Sequence, residues 1–374
     1  MLIYNSMILW IAICGMFYYL AEQRKIKLND CEIQTKVPTL YGIITYIYII
    51  FWVGIRSGVA DTAVYITMFK SYSTDLSLIP RYWNISENKS PGFDTLNIIF
   101  KHFVSDNYHI WLLTIAVLTG IPIMLKLREK STHFFYSSYL FMTSILFFWM
   151  LNGMRQFLVV SIMFFASDWI EEKKTIRFIV LVLLMSTIHF TVLVMIPMYF
   201  IAIERPFGKK VILFMLLLLA SIVFLNPFIS SMENLMVETA YSGFSQQFVQ
   251  DDGVNPIRVM VMCVTPILAF LGRRNTEIKN NTYINICVNM SVICAGIYFL
   301  GIFTSGILVG RLPVYFEIYN LVLLPHLMKE CFTKRSVKIV FVICTICYFY
   351  YYWMQMNSSY YVSDITGVLQ GWGV

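Results

Sequence analysis

Apolar runs separated by short polar joints recur along the whole chain. They fall at 1–21, 39–54, 109–125, 134–150, 154–170, 176–189, 190–203, 211–226, 257–272, 283–303, 312–328 and 337–354. A hydrocarbon core of about 30 Å is crossed by roughly 20 apolar helical residues, and about 17 suffice where flanking side chains snorkel or the bilayer thins. The pattern therefore predicts an all-α polytopic membrane protein with about 12 transmembrane helices, two of them short. The first run has no basic leader and no small-residue cleavage site, so it reads as a retained span rather than a signal peptide. Residues 176–203 are too many for one untilted span and too few for two ordinary ones, with His189 near the middle and Pro197 after it. A single tilted helix would put Arg205, Lys209 and Lys210 on the wrong side, so a broken or re-entrant pair turning near His189 is expected.

Two connections exceed what a turn needs. Residues 55–108 carry Arg56, Asp61, Lys70, Arg81, Glu87 and Asp94, with apolar stretches such as FDTLNIIFKHF that suit helices lying in the membrane interface. Residues 227–256 are acidic, with Glu233, Glu238, Asp251 and Asp252 beside Gly243 and Gly253. Long ordered loops are where function concentrates. No repeat or soluble domain interrupts the pattern, and the chain reads as one integral membrane domain over 1–374.

Composition agrees: 58% of residues are hydrophobic and 13% charged, where soluble domains carry roughly a quarter charged. Most of the 28 Lys and Arg residues gather in six joints, at 22–38, 126–133, 171–175, 204–210, 273–282 and 329–336. Positive-inside bias makes these joints cytoplasmic and puts both termini outside. The same bias, with anionic lipid, accounts for the net charge of +7, so nucleic acid is not a partner. The eight cysteines lie in spans or cytoplasmic joints and imply no disulfide framework. Cys344 and Cys347 read as small lipid-compatible side chains rather than a redox or metal pair.

Four arginines stand apart from the cytoplasmic joints, at membrane borders on the opposite side. Arg56 lies in GIRSGVADTAVY with Asp61 shortly after it; a guanidinium can grip a lipid-linked phosphate with two parallel hydrogen bonds, or it can snorkel to headgroups or pair with Asp61. NGMRQ sets Asn152, Arg155 and Gln156 in a tight turn between two spans, where an arginine at bilayer depth calls for partners. His189, in STIHF, can accept a proton from a sugar hydroxyl or bond a carbonyl at the helix break. Arg311 opens the eleventh span with Glu317 about two turns deeper, where a carboxylate faces a cavity or pairs with an arginine. Arg258 begins the ninth span. No P-loop, dinucleotide fingerprint, H-E-x-x-H or G-x-S-x-G elbow occurs.

The R-x-x-x-x-D-T-x-x-Y run at Arg56 to Tyr65, the NGMRQ turn, the run from Ile188 to Tyr199 and the late R-x-x-x-Y-F at Arg311 to Phe316 occur in order along the chain. Together they resemble the EpsG-like polysaccharide polymerases, grouped with the Wzy-type O-antigen and capsule polymerases. The resemblance departs at SPGF, where Ser90 stands before the Pro-Gly in place of the family's Glu, and the nearest acid is Glu87.

What the resemblance implies is the joining of oligosaccharide repeat units carried on undecaprenyl pyrophosphate, at the outer face of a bacterial cytoplasmic membrane. The partners are then lipid-linked donor and acceptor, the bilayer and a chain-length regulator. Arg56, Arg155 and Arg311 are implied as phosphate-binding groups, with Arg258, Asn152, Gln156 and Glu317 as further binding residues. His189 or Asp61 would orient or deprotonate the acceptor hydroxyl, and the scheme needs no cofactor and no metal. The rival readings are a flippase for the same lipid-linked sugars and an O-antigen-ligase-type transferase. A membrane O-acyltransferase lacks its intramembrane His and acidic signature here.

Overall fold

The computed structural model describes residues 1–29, 36–84, 88–221, 253–275, 279–303 and 309–370. Glu87 and most of the acidic loop 227–256, with Glu233, Glu238, Gly243, Asp251 and Asp252, lie outside the described residues. Among the described residues the fold is all-α and membrane-like, with one small β-hairpin that the hydrophobic pattern did not predict.

By length and composition, four helices among the described residues can cross a membrane: Leu2–Arg24, Tyr108–Lys130, Thr282–Phe303 and Ser336–Met356. The remaining apolar runs form shorter helices. The expected break near His189 is present: the helix Thr175–Ser186 ends, His189 is extended at φ −150°, and the chain resumes as the 3-10 turn Phe190–Val194 and the helix Met195–Ala202. Three further runs are also divided. Residues 134–150 form the helix Phe134–Thr143 and the 3-10 turn Leu146–Met150, separated by Ile145 at φ +72°. A β-branched residue rarely adopts that conformation, so surrounding packing must impose it. Residues 154–170 divide into Met154–Phe165 and Asp168–Glu171, and 312–328 into Val314–Glu317 and Asn320–Cys331.

The described chain forms two compact units from interleaved segments. One comprises Met1–Leu78, Thr95–Phe165 and Phe332–Val374; the other comprises Ile79–Asp94 and Ala166–Cys331. In the first, the helix Thr39–Gly54 packs along Tyr108–Lys130, which also receives Met154–Phe165. Tyr46, Ile49, Val53, Leu112, Ile123, Phe157 and Val159 fill the core between these helices. Asn107 caps the start of Tyr108–Lys130 by accepting from the His109 amide. Ile47, Phe51, Leu118 and Ile346 are exposed, as lipid-facing side chains are in a membrane helix bundle.

The second unit is built on the helix Thr282–Leu300, whose side chains from Tyr283 to Tyr298 are all buried except Asn285. A helix apolar all round belongs in the middle of a bundle. Pro256–Leu271, Met195–Ala202 and Asn320–Cys331 surround it. Its one buried amide, Asn289, donates to the carbonyls of Ile201, Ala202 and Glu204 and so pins the end of the Met195–Ala202 helix. Asn255 and Asn281 cap Pro256–Leu271 and Thr282–Leu300, with Pro256 at the first helical position where its missing N–H costs nothing.

Candidate functional site

In the first unit the chain leaves Thr39–Gly54 directly into the GIRSG turn, and Arg56 points inward instead of outward. Its side chain is fully buried. Nε donates to Thr62 Oγ1 at 2.9 Å, one terminal nitrogen to the Val53 carbonyl at 2.5 Å, and the other to Met154 Sδ at 3.3 Å. Burial pulls the guanidinium down to about 10, against the opposing effect of Tyr361, Tyr65 and Tyr4, so it remains a cation at neutral pH. Asp61 lies half-exposed at the start of the helix Thr62–Ser71, and Arg56 bonds its neighbour Thr62 rather than its carboxylate.

The NGMRQ turn meets this motif. Gly153 adopts φ +75°, a left-handed conformation that glycine takes without strain, and a Cβ there would lie 2.9 Å from the Trp149 ring. The chain then enters Met154–Phe165 with Gln156 buried and Asn152 and Arg155 half-buried. The Arg155 guanidinium lies over the Tyr65 ring, 5.8 Å from its centroid. Arg56, Asp61, Asn152, Arg155 and Gln156 are therefore gathered by two motifs almost a hundred residues apart.

The C-terminal hairpin clamps the same turn. Strands Tyr361–Ser363 and Val368–Gln370 pair antiparallel, with Val362 opposite Leu369. The Val362 carbonyl accepts from the Ser57 and Gly58 amides, Tyr361 donates to the Trp52 carbonyl, and Ser363 donates to the Ile55 carbonyl. Asp364 accepts from the Tyr108 hydroxyl at 2.5 Å and lies 3.4 Å from His109 Nε2.

In the second unit His189 sits half-buried at the helix break. Its Nδ1 is 2.7 Å from Thr191 Oγ1, which is 3.1 Å from the Tyr315 hydroxyl, so the third and fourth motifs also meet. The SPGF turn docks beside this break: the Gly92 amide donates to the Thr187 carbonyl at 2.9 Å, and a Cβ on Gly92 would lie 2.1 Å from Thr187 Oγ1. Ser90 is buried, and Asn88 donates to Asp94 at 2.7 Å.

Glu317 is buried and accepts from the Tyr298 hydroxyl at 2.6 Å. The Arg258 guanidinium lies over the same Tyr298 ring at 5.4 Å. Glu317 thus keeps company with Tyr298 and Arg258, while Arg311 is exposed on the 3-10 turn Val309–Arg311. Among the described residues no group of three or more His, Cys, Asp or Glu is placed to hold a metal ion.

Residues 39–365 match the EpsG family, which spans both motif pairs and ends inside the C-terminal hairpin. The chain belongs to the EpsG family. This is a family of Wzy-type polysaccharide-polymerase-like proteins, and the chain's apolar helices agree with a membrane protein of polysaccharide biosynthesis. No curated protein and no solved structure matches it. Two tyrosines beside the predicted site residues carry no mark in the sequence. Tyr298 and Tyr361 sit in aromatic-rich runs where a tyrosine reads as core, and only their hydroxyl partners on other elements set them apart.

Proposed function

We propose that this EpsG-family protein polymerises oligosaccharide repeat units carried on undecaprenyl pyrophosphate, at the outer face of a bacterial cytoplasmic membrane, with O antigen as the product. The divided helices serve as twelve membrane passes with both termini outside, and the lipid-linked chains, the bilayer and a chain-length regulator are its partners. What supports this reading best is the joining of the R-x-x-x-x-D-T-x-x-Y run to the NGMRQ turn, which leaves the Arg155 guanidinium over Tyr65, half-buried, on a braced support.

In the reaction an acceptor hydroxyl oxygen bonds to the anomeric carbon of the donor sugar, and the bond from that carbon to the pyrophosphate oxygen breaks. The departing pyrophosphate gains negative charge, which preorganised guanidinium groups stabilise without reorganisation. Arg155 carries this part in the first unit, with Asn152 and Gln156 shaping its surroundings. In the second unit Arg258 and Arg311 bind phosphate, with Glu317 supporting Arg258. The hydroxyl proton passes to His189, whose orientation Thr191 fixes, or to Asp61.

The test is reconstitution of the purified protein in vesicles with the undecaprenyl-pyrophosphate-linked repeat unit extracted from cells that lack it. Polymerisation yields longer lipid-linked glycans and one free undecaprenyl pyrophosphate per bond formed. Unchanged single units that redistribute between leaflets would establish transport instead.

A further inference from the structure

Arg56 has the motif position of a ligand-binding arginine and the surroundings of a structural one. Its side chain has no exposed surface, and each guanidinium nitrogen already donates to a different segment: Val53 at the end of Thr39–Gly54, Thr62 at the start of Thr62–Ser71, and Met154 in the NGMRQ turn. Tyr4, Tyr65 and Tyr361 surround it electrostatically, and the hairpin closes the turn from outside. Met154 precedes Arg155 directly, and Tyr65, which Arg155 stacks on, lies on the helix that Thr62 begins. Both the chain entry into Arg155 and the Tyr65 ring it stacks on are thus tied to Arg56.

We infer that Arg56 is a positioning residue that braces Arg155 and Tyr65 and does not itself touch phosphate. This rests on the phosphate-binding reading of Arg155, and it divides the two arginines by chemistry. A guanidinium with three separate acceptors cannot be replaced by an ammonium on a flexible stem, whereas a phosphate contact accepts a point charge in part.

The full-length protein in nanodiscs is treated with phenylglyoxal, with and without undecaprenyl pyrophosphate, and each arginine is quantified by mass spectrometry. Arg155 is expected to react and to be protected by the lipid, while Arg56 stays unmodified in both conditions. Modification of Arg56 that the lipid suppresses would overturn the inference. Modification of Arg155 that the lipid does not suppress would remove the phosphate reading of Arg155 and leave the burial of Arg56 intact, so the two failures are distinguishable.

Thr62→Val and Met154→Leu each delete one acceptor at nearly constant volume. Both are expected to raise the Arg155 labelling rate about threefold or more, with Arg273, exposed at the start of the 273–282 joint, unchanged as an internal control, because a stacked side chain that loses its support samples open rotamers. Unchanged Arg155 labelling in both variants would refute the brace. In turnover, Arg56→Lys should lose as much kcat as Arg56→Ala, on the order of 100-fold, while Arg155→Lys retains about a tenth of activity with a raised KM. An Arg56→Lys enzyme that changes only KM would also refute it.

Discussion

Gly92→Ala tests how the SPGF turn is held beside His189. The added methyl would lie 2.1 Å from Thr187 Oγ1, 2.8 Å from its Cβ and 3.1 Å from its carbonyl carbon. Rotating Thr187 moves Oγ1 away but breaks its 2.7 Å bond to the Leu184 carbonyl and leaves the other two contacts unchanged. The turn must therefore back away, stretching the 2.9 Å bond from the Gly92 amide to the Thr187 carbonyl. Overpacking of this kind costs about 1–3 kcal/mol, and weakening one hydrogen bond adds about 1 kcal/mol. A total of about 2–4 kcal/mol corresponds to a shift of roughly 30- to 700-fold in the opening equilibrium of the docked turn. Hydrogen–deuterium exchange of the peptide covering residues 88–98, in nanodiscs, reads that opening directly. In the Thr187→Gly background only the 3.1 Å contact to backbone remains, and most of the lost protection should return. Protection within about twofold of wild type in Gly92→Ala would refute the docking argument.

Other consequences follow from the same contacts. Tyr298→Phe removes the hydroxyl that donates to buried Glu317, whose other oxygen has no hydrogen-bond partner among the described residues; loss of about 1.5–3 kcal/mol is expected in denaturation of the solubilised protein, recovered in part by adding Glu317→Gln. Thr191→Val breaks the link between His189 and Tyr315, and turnover should fall by about tenfold while the lipid-linked substrate still binds, which separates kcat from KM. Burial pushes the Asp364 carboxyl up, but the Tyr108 hydroxyl, His109 and Ser57 outweigh it and hold it below the ordinary carboxylate range. Its contribution to hairpin docking is then complete above the ordinary value of about 4 and is lost as pH falls through the depressed one. Protease sensitivity at 357–360 should rise in that acid window for wild type and lose its pH dependence in Asp364→Asn.

The apolar runs located the helices because burial in lipid or core leaves a compositional mark at every position. The break at His189 was legible for a related reason: a largely apolar stretch of 28 residues between two polar joints fits neither one span nor two. The breaks at Ile145 and at 318–319 were not, since no Gly or Pro marks them, and polar neighbours such as Ser144 and Asn320 look no different in sequence from Ser138 or Asn289 inside continuous helices. In the site, arginines at membrane borders stood out because charge is costly there, but burial direction leaves no such mark. GIRSG reads the same whether Arg56 faces solvent or, as here, the Thr62 hydroxyl and Met154 sulfur. The hairpin escaped notice because each strand has three residues, too few for alternation to rise above chance, and its purpose lies in a turn some 300 positions earlier. Glu317 was legible as a costly intramembrane carboxylate, while its hydroxyl partner Tyr298 was hidden among apolar neighbours on another helix.

Polymerisation of lipid-linked repeat units can be read from the glycan ladder of cells lacking this protein, with wild type, Arg155→Ala or His189→Ala restored at matched membrane expression. Single-unit glycan is expected in the deletion strain, long chains with wild type, and single-unit material with either variant. A deletion strain that keeps its full ladder, or full-length chains stranded on the lipid carrier, would contradict polymerisation by this protein.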